Sequence, residues 1–290
     1  MIATVSEEQA GIRLDSFVAT SMPRLSRAYA QILCDTDKVR VRDHPRKAGY
    51  KLKEGDEVII EYDEKDLDLI PEIDLPILYE DDDCIVINKP AGVLTHTQGA
   101  FDREATVSTF LRSKINGELA GDASRAGVVH RLDRPTSGII IGAKNQAALS
   151  WLQKQFAQRK VHKTYIAVVE GHLKEPEAII DMPIERNPKA PATFRAGING
   201  KAAVTNYKVL QEGANYSLVE LKPETRRTHQ LRVHMQKIGH PIVGDPLYGG
   251  GKWGDRMFLH ALSLEITLPS RERKTFNAPL PSEFEEQANA

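Results

Sequence analysis

The sequence predicts an α+β chain in two parts, a small mixed module followed by a larger domain built on a mixed, mainly antiparallel sheet. Three observations carry this. From Cys84 onward, short β-branched runs recur, several of them alternate apolar with polar residues, and few helical patterns are available to cover both faces of a sheet. Alternation of that kind marks strands with one covered face, which is typical of antiparallel pairing.

In the first part, Leu14, Phe17 and Val18 stand at helical spacing until Pro23 stops the helix. A second helix is expected after Ser26 as its N-cap, with Ala30 and Leu33 on the buried face. Past Asp35-Thr36-Asp37, two short strands are expected at Val39-Arg40-Val41 and, beyond the Gly55-Asp56 turn, at Val58-Ile59-Ile60. Residues 1–62 therefore read as one domain. Residues 63–83 read as an acidic linker, because Asp63, Glu64, Asp66, Asp68, Glu72, Asp74 and Glu80-Asp81-Asp82-Asp83 are opposed by little more than Lys65.

Residues 84–290 read as the larger domain. Strands are expected at Cys84-Ile85-Val86-Ile87, at Gly127-Val128-Val129 and Ile139-Ile140-Ile141 on either side of a polar loop, and at Tyr165-Ile166-Ala167-Val168-Val169. Others are expected at Ala203-Val204 with Tyr207 and Val209, at Tyr216-Leu218-Val219-Leu221 and at Leu264-Ile266-Leu268. Helices are expected at Ala148-Leu149-Leu152-Phe156 and at Leu231-Met235-Ile238, the second started by Thr228 and stopped by Gly239. No repeat of 20–50 residues is visible.

The chain of 290 residues suits one sizeable domain plus a small one. No run approaches the length of a spanning helix, and the first residues lack the basic start and apolar core of a signal peptide, so a cytoplasmic setting without a membrane partner is expected. Cys34 and Cys84 are too far apart in sequence to support a disulfide framework or a cysteine metal site. A net charge of -1 is a poor start for binding nucleic acid, but the acidic stretch offsets basic clusters elsewhere. These are Arg40, Arg42, Arg46 and Lys47, then Arg131 and Arg134, then Arg159-Lys160 with Lys163, and lastly Arg226, Arg227 and Arg232.

His130-Arg131-Leu132-Asp133-Arg134-Pro135-Thr136-Ser137-Gly138 places one acid among cations on a tight loop between two apolar runs. Neighbouring arginines keep such a carboxylate ionised, which suits a nucleophile or a base; the duller alternative is an ion pair that braces the loop. This nonamer resembles the signature of the RluA-type pseudouridine synthases, and further motifs of that family follow in order. They are Ile87-Asn88-Lys89-Pro90-Ala91-Gly92-Val93 with His96 upstream, then Lys163-Thr164-Tyr165-Ile166-Ala167, Arg227-Thr228-His229-Gln230-Leu231-Arg232-Val233-His234 and Gly239-His240-Pro241-Ile242-Val243-Gly244-Asp245 with Tyr248-Gly249. The N-terminal part is similar to the small RNA-binding domain named for a small-subunit ribosomal protein, on Arg13-Leu14-Asp15, Ser26-Arg27 with Gln31, and Tyr50-Lys51-Leu52 before Gly55-Asp56. It departs from that pattern at Asp37-Lys38-Val39-Arg40-Val41-Arg42-Asp43, where Gly-x-Val-x-Val-Asn-Gly is common.

The resemblance implies conversion of uridine in RNA to pseudouridine in a cleft across the middle of the sheet, without metal or organic cofactor. It implies that Asp133 is the catalytic aspartate, which attacks the ring or the sugar or abstracts a sugar proton. Tyr165 is implied to lie against the base and to be a candidate for removing the ring proton, Arg227 to pair with the aspartate, and Arg131 to enter the RNA where the uridine flips out. Arg134, Lys89 and His96, with Arg13, Arg27, Arg40 and Arg42 of the first module, are expected to contact RNA. By association the RNA is ribosomal, of the large subunit, rather than transfer RNA, and the chain is expected to be a monomer. Two other classes are weighed against this one. A non-catalytic RNA-binding or assembly factor would not need Asp133, Tyr165 and Arg227 together, and a glycosidic hydrolase would need a second acid near the first. His229 and His234 lack the one-turn spacing of a zinc helix, and Gly249-Gly250-Gly251-Lys252 lacks the order of a phosphate loop. Two departures concern the site: Pro135 stands where Asp is common, and Arg226 where Gly is common.

Overall fold

Apolar residues at helical spacing in the first unit meet a small sheet. The structure, a computed structural model, describes residues 1–22, 27–61, 72–97, 104–115, 119, 125–251 and 256–290. The chain divides into Met1–Glu72 with Thr97–Ala105, and Ile73–His96 with Thr106–Ala290. In the first unit, α1 (Leu14–Ser21) and α2 (Arg27–Asp35) join β1 (Ile2–Thr4), β2 (Val39–Val41), β3 (His44–Pro45) and β4 (Glu57–Ile60), which pair in the order β1-β4-β2-β3. Leu14, Phe17, Val18, Leu33, Val39, Val41, Val58 and Ile60 are buried together. The expected roles of Pro23 and Ser26 fall outside the described residues. The strands β1 and β3 are too short to show a period in the sequence.

The departures in this module sit on unusual backbone. Asp37, Arg42 and Asp43 all have positive φ, at 56°, 50° and 66°. Arg42 and Asp43 are the two central residues of the β2–β3 hairpin, whose tight turn requires φ > 0 at both.

The second unit carries β5 (Ile77–Glu80), β6 (Cys84–Lys89), β7 (Ser137–Ala143), β8 (His162–Glu170), β9 (Glu177–Asp181), β12 (Val204–Glu212), β13 (Tyr216–Pro223), β14 (Leu259–Thr267) and β15 (Arg273–Asn277) in one nine-stranded sheet. Its order is β5-β6-β7-β14-β8-β13-β12-β9, with β15 beside β14. A hairpin of β10 (Ile184–Arg186) and β11 (Phe194–Ala196) stands apart. Within the large sheet β7 and β14 run parallel and the other pairs antiparallel, so the mainly antiparallel sheet expected from alternation is present. Helices α3 (Val107–Arg112), α4 (Gln146–Ala157), α5 (Gln230–Lys237) and α6 (Glu283–Asn289) complete the unit. Among the described residues no helix is long and apolar enough to cross a membrane, and Cys34 and Cys84 are buried free thiols.

Three local expectations change. The stretch read as an acidic linker contains β5, because Ile77 and Tyr79 pair with Ile87 and Val86. Its acids are partly structural there: Asp81 Oδ1 accepts the backbone N–H groups of Asp83 and Cys84 at 2.9 and 2.7 Å. Gly127-Val128-Val129 is not a strand but makes a single bridge to Gly142. A side chain at Gly127 would put its Cβ 2.6 Å from the Ala143 carbonyl oxygen, so the backbone lies close against the end of β7 there. Finally, α5 starts after His229, which has φ 56°, and not at Thr228. No side chain caps the start of α5; Gln230 Oε1 instead accepts from Arg227 N–H and from the Thr225 hydroxyl and so ties the preceding turn to the helix.

Candidate active site

The loop before β7 is tied down from two sides. Lys89, at the end of β6, is fully buried, and its ammonium donates to the carbonyls of Pro90, Val93 and Arg134 at 2.9, 2.8 and 3.2 Å. Those three acceptors use all its donors, so Lys89 is an interior brace and not the RNA contact expected from its motif. Burial pushes its pKa down to about 7 against the opposing pull of Asp133. On the other side the Thr95 hydroxyl donates to the Leu132 carbonyl at 2.8 Å and accepts from Leu132 N–H at 3.2 Å. Thr136 N–H closes the turn onto the Asp133 carbonyl at 3.1 Å. With these ties in place, the donor and the side-chain cap that Pro135 lacks are not needed.

Asp133 therefore projects from a rigid turn, one fifth exposed. Its arginine is not Arg227. Arg232, on the first turn of α5 and 3% exposed, reaches Asp133 Oδ2 at 3.2 Å while its Nε and second terminal nitrogen grip Asp245 at 2.7 and 2.8 Å. Asp245 is itself buried and accepts from the backbone N–H groups of Leu247 and Tyr248. One guanidinium thus spans two carboxylates, one structural and one facing the cavity, and both hold its charge firmly. Arg227 instead turns away, donating from Nε to the Ala202 carbonyl at 3.0 Å, although it still lines the same cavity. The two arginines lie five positions apart in one motif, and only burial separates their roles. A sequence signal was nonetheless present, since Arg232 stands between apolar Leu231 and Val233 in a helix that carries no acid to pair with it.

His229 is the second residue that the motif contained without its role being legible. Its Nε2 lies 3.7 Å from Asp133 Oδ2, and its Nδ1 lies 2.8 Å from the Tyr248 hydroxyl. Phe194 N–H donates to that hydroxyl at 2.9 Å, which leaves the phenol proton for Nδ1 and the imidazole proton for Nε2, on the side of Asp133. Burial holds His229 below its ordinary pKa despite the nearby carboxylates, so the ring is neutral. His234 is also buried, bonded to the Thr205 hydroxyl and the Met182 carbonyl at 3.0 Å each. Among the described residues no group of three histidine, cysteine or acidic side chains is placed to hold a metal.

Tyr165, in the middle of the sheet on β8, is buried beside the cavity. Burial first, and the charge of Asp133 second, raise its hydroxyl pKa, so it stands as a neutral phenol. A neutral phenol is a poor acceptor for the ring proton. The cavity itself has a volume of about 640 Å³ and is open to Asp133, Tyr165 and the exposed Arg131. Asp133 is the only carboxylate among its described lining residues, against Arg125, Arg131, Lys163, Arg226, Arg227 and Arg232. His96 also lines it, from a buried position. Arg134 points outward, with one terminal nitrogen 3.4 Å from the Gly92 carbonyl.

In the first unit the arginines expected to meet RNA are engaged internally. Arg13 pairs with buried Asp15 at 2.8 Å, Arg42 with buried Asp56 at 2.9 Å, and Arg40 with Glu61. The side chain of Arg27 lies outside the described residues.

A family model described as RNA pseudouridylate synthase matches residues 83–237. Over 98% of its length the chain is 38% identical to an uncharacterized RNA pseudouridine synthase of Bacillus subtilis, 95% of which is covered. It is 35% identical over 97% of its length to ribosomal large subunit pseudouridine synthase C of Vibrio parahaemolyticus, 93% of which is covered. Among solved structures, human RNA pseudouridylate synthase domain containing 1 superposes with a TM-score of 0.61 at 34% identity, covering 72% of this chain and 85% of that one.

Proposed function

The chain belongs to the RNA pseudouridylate synthase family, and on that premise we propose that it isomerises uridines of large-subunit ribosomal RNA with Asp133 as the attacking carboxylate and no cofactor. The observation that carries the assignment is a single carboxylate in a cavity whose other charged lining residues, among those described, are cations, held by a buried arginine. Cations around a lone acid draw a polyanion to it and keep the acid ionised. A hydrolase of glycosidic bonds needs a second acid roughly 5 to 9.5 Å away, and the described lining offers none.

On this reading each group has a task. In the reaction the N1–C1′ bond of uridine breaks, the uracil turns, the C5–C1′ bond forms, the C5 proton passes to solvent and N1 ends protonated. Asp133, as the attacking group, forms a bond to the ring or the sugar that breaks again as the isomer is completed, which regenerates the carboxylate. Arg232 fixes the carboxylate, with Asp245 preventing the guanidinium from following the substrate, and the Nε2–H of His229 faces the same oxygen. Tyr165 offers a flat ring and a neutral hydroxyl. Arg131, exposed at the rim, is placed to enter the gap left by the flipped nucleotide, where unstacking costs a few kcal/mol. The ribosomal target rests on the name of the Vibrio relative.

Asp133→Asn tests this reading. The variant keeps the size of the side chain, so its fold and RNA affinity are expected to change little, while tritium release from uridine labelled at C5 falls on the order of a thousandfold or more. Release within tenfold of the unaltered protein rules out Asp133 as the attacking group.

A further inference from the structure

Arg226 stands where the related motif commonly has glycine, and its backbone does not use the left-handed region, so the guanidinium is an addition and not a strained replacement. It lies over the Phe156 ring at 4.9 Å and beside Lys163, whose ammonium is 5.6 Å from the centre of the Tyr165 ring. Neither cation makes an ion pair or hydrogen bond among the described residues. Together with Arg159 and Arg227 they line a second cavity of about 210 Å³, which shares Lys163, Thr225, Arg226 and Arg227 with the cavity of Asp133. Glu224 is the one carboxylate in this described lining, and it accepts from Asn206 at 3.0 Å.

Arg159 adds an independent sign. It follows the last turn of α4 with φ 56°, and Lys160 N–H reaches back to the Gln155 carbonyl, the geometry that closes helices on glycine. An arginine in that position is strained where glycine is not. The exposed Arg159 side chain lines the second cavity.

We propose that Arg159, Lys163 and Arg226 form an anion subsite that holds an RNA phosphodiester next to the target uridine while the base lies against Asp133. The proposal rests on the RNA reading of the main cavity and adds where the strand leaves it. Two neighbouring cations without an acid between them repel each other in the free protein, and a phosphate between them relieves the repulsion. Burial and the charge of Arg226 push the Lys163 ammonium down to about 7, and the groups that face it are Arg226, Tyr165 and the neutral, half-buried His130. A phosphate would restore its proton, so binding at this subsite tightens as pH falls through that range.

The test is salt titration of an oligouridylate of about 12 nucleotides, on the scale of single-strand sites, bound to the full chain and to Arg226→Gln, Lys163→Met and Arg159→Gly. Each variant is expected to lower the log–log slope by about 0.7, the value of one neutralised phosphate on a single strand. The unaltered chain is expected to bind about tenfold more tightly at pH 6 than at pH 8, the ratio of charged lysine at a pKa near 7, and Lys163→Met to lose that difference. Arg159→Gly is expected to raise the thermal midpoint while weakening binding, which separates removal of a phosphate partner from damage to the fold. Unchanged slopes in both Arg226→Gln and Lys163→Met overturn the subsite, whether or not the protein makes pseudouridine. Full slopes with no pseudouridine formed in unmodified large-subunit ribosomal RNA overturn the function proposed above and leave the subsite standing.

Discussion

The two units use their cations in opposite ways. In the N-terminal unit Arg13, Arg40 and Arg42 are each paired with an acid of the same unit, whereas Arg131, Lys163 and Arg226 line a cavity whose single described carboxylate, Asp133, is already held by Arg232. Clusters that look alike along the sequence therefore differ in what they can attract. A paired arginine has given up part of its charge to its own fold, and releasing it to a phosphate means leaving a carboxylate behind, which for Asp15 and Asp56 is buried. An unpaired one releases counterions at no such cost. On this account the first unit would meet RNA through Arg46, Lys47, Lys51 and Lys53, which are exposed and make no ion pair among the described residues.

The largest expected effect breaks the comparison inside the catalytic unit. Arg232→Met leaves Asp245 buried without its partner, and removal of one member of a buried pair costs about 3–5 kcal/mol. The urea midpoint, followed by the fluorescence of Trp151 in α4, is expected to fall accordingly, and pseudouridine formation to be lost. Arg227→Met removes one bond to a carbonyl and should change stability by less than about 0.5–1.5 kcal/mol. Equal losses from the two substitutions would show that burial does not divide their roles.

That pair also marks how far the sequence is legible. Strand alternation and helical spacing identify both cores, and the nonamer around Asp133 marks a loop that lines the larger cavity, because each of these signals is local in the chain. The partner of Asp133 is not local. Arg227 and Arg232 are chemically alike, and the choice between them is made by Asp245, more than ten positions further on and brought close by folding. Lys89 misleads for the same reason: a lysine beside a turn reads as surface charge until three carbonyls converge on it. The acidic composition before Cys84 outweighs the signal of Ile77 and Tyr79, which reach a neighbouring strand and make part of that stretch a sheet edge. Short elements such as β1, β3 and α3 offer too few residues for a period to appear.

An intermediate effect sharpens the contrast between paired and unpaired arginines. Arg46→Gln with Lys47→Gln should lower the salt slope for structured ribosomal RNA by about 0.7–0.9 for each phosphate that is no longer neutralised. Arg40→Gln with Arg42→Gln should lower it by less, although the same number of charges is removed, because those charges are already neutralised by Glu61 and Asp56. Equal slopes for the two double variants, measured from 50 to 200 mM salt, would remove the distinction on which the comparison stands.

The smallest effect concerns what the first unit spends on its hairpin. Arg42 and Asp43 both hold positive φ in the turn between β2 and β3, but only Arg42 has an evident return, its ion pair with Asp56. Asp43 is exposed and makes no hydrogen bond or ion pair among the described residues. Glycine at the second central position of such a turn relieves the backbone at the expense of some chain entropy in the unfolded state. Asp43→Gly is therefore expected to stabilise the module by about 0.5–1 kcal/mol, which would slow exchange of the Val39 and Val41 amide protons about two- to fivefold. Arg42→Gly relieves the same backbone but gives up the pair with buried Asp56, so it should gain less or lose stability outright. If the glycine at 42 protects those amides as well as the glycine at 43 does, the pair with Asp56 contributes nothing, and Arg42 joins the cations that are free to meet RNA.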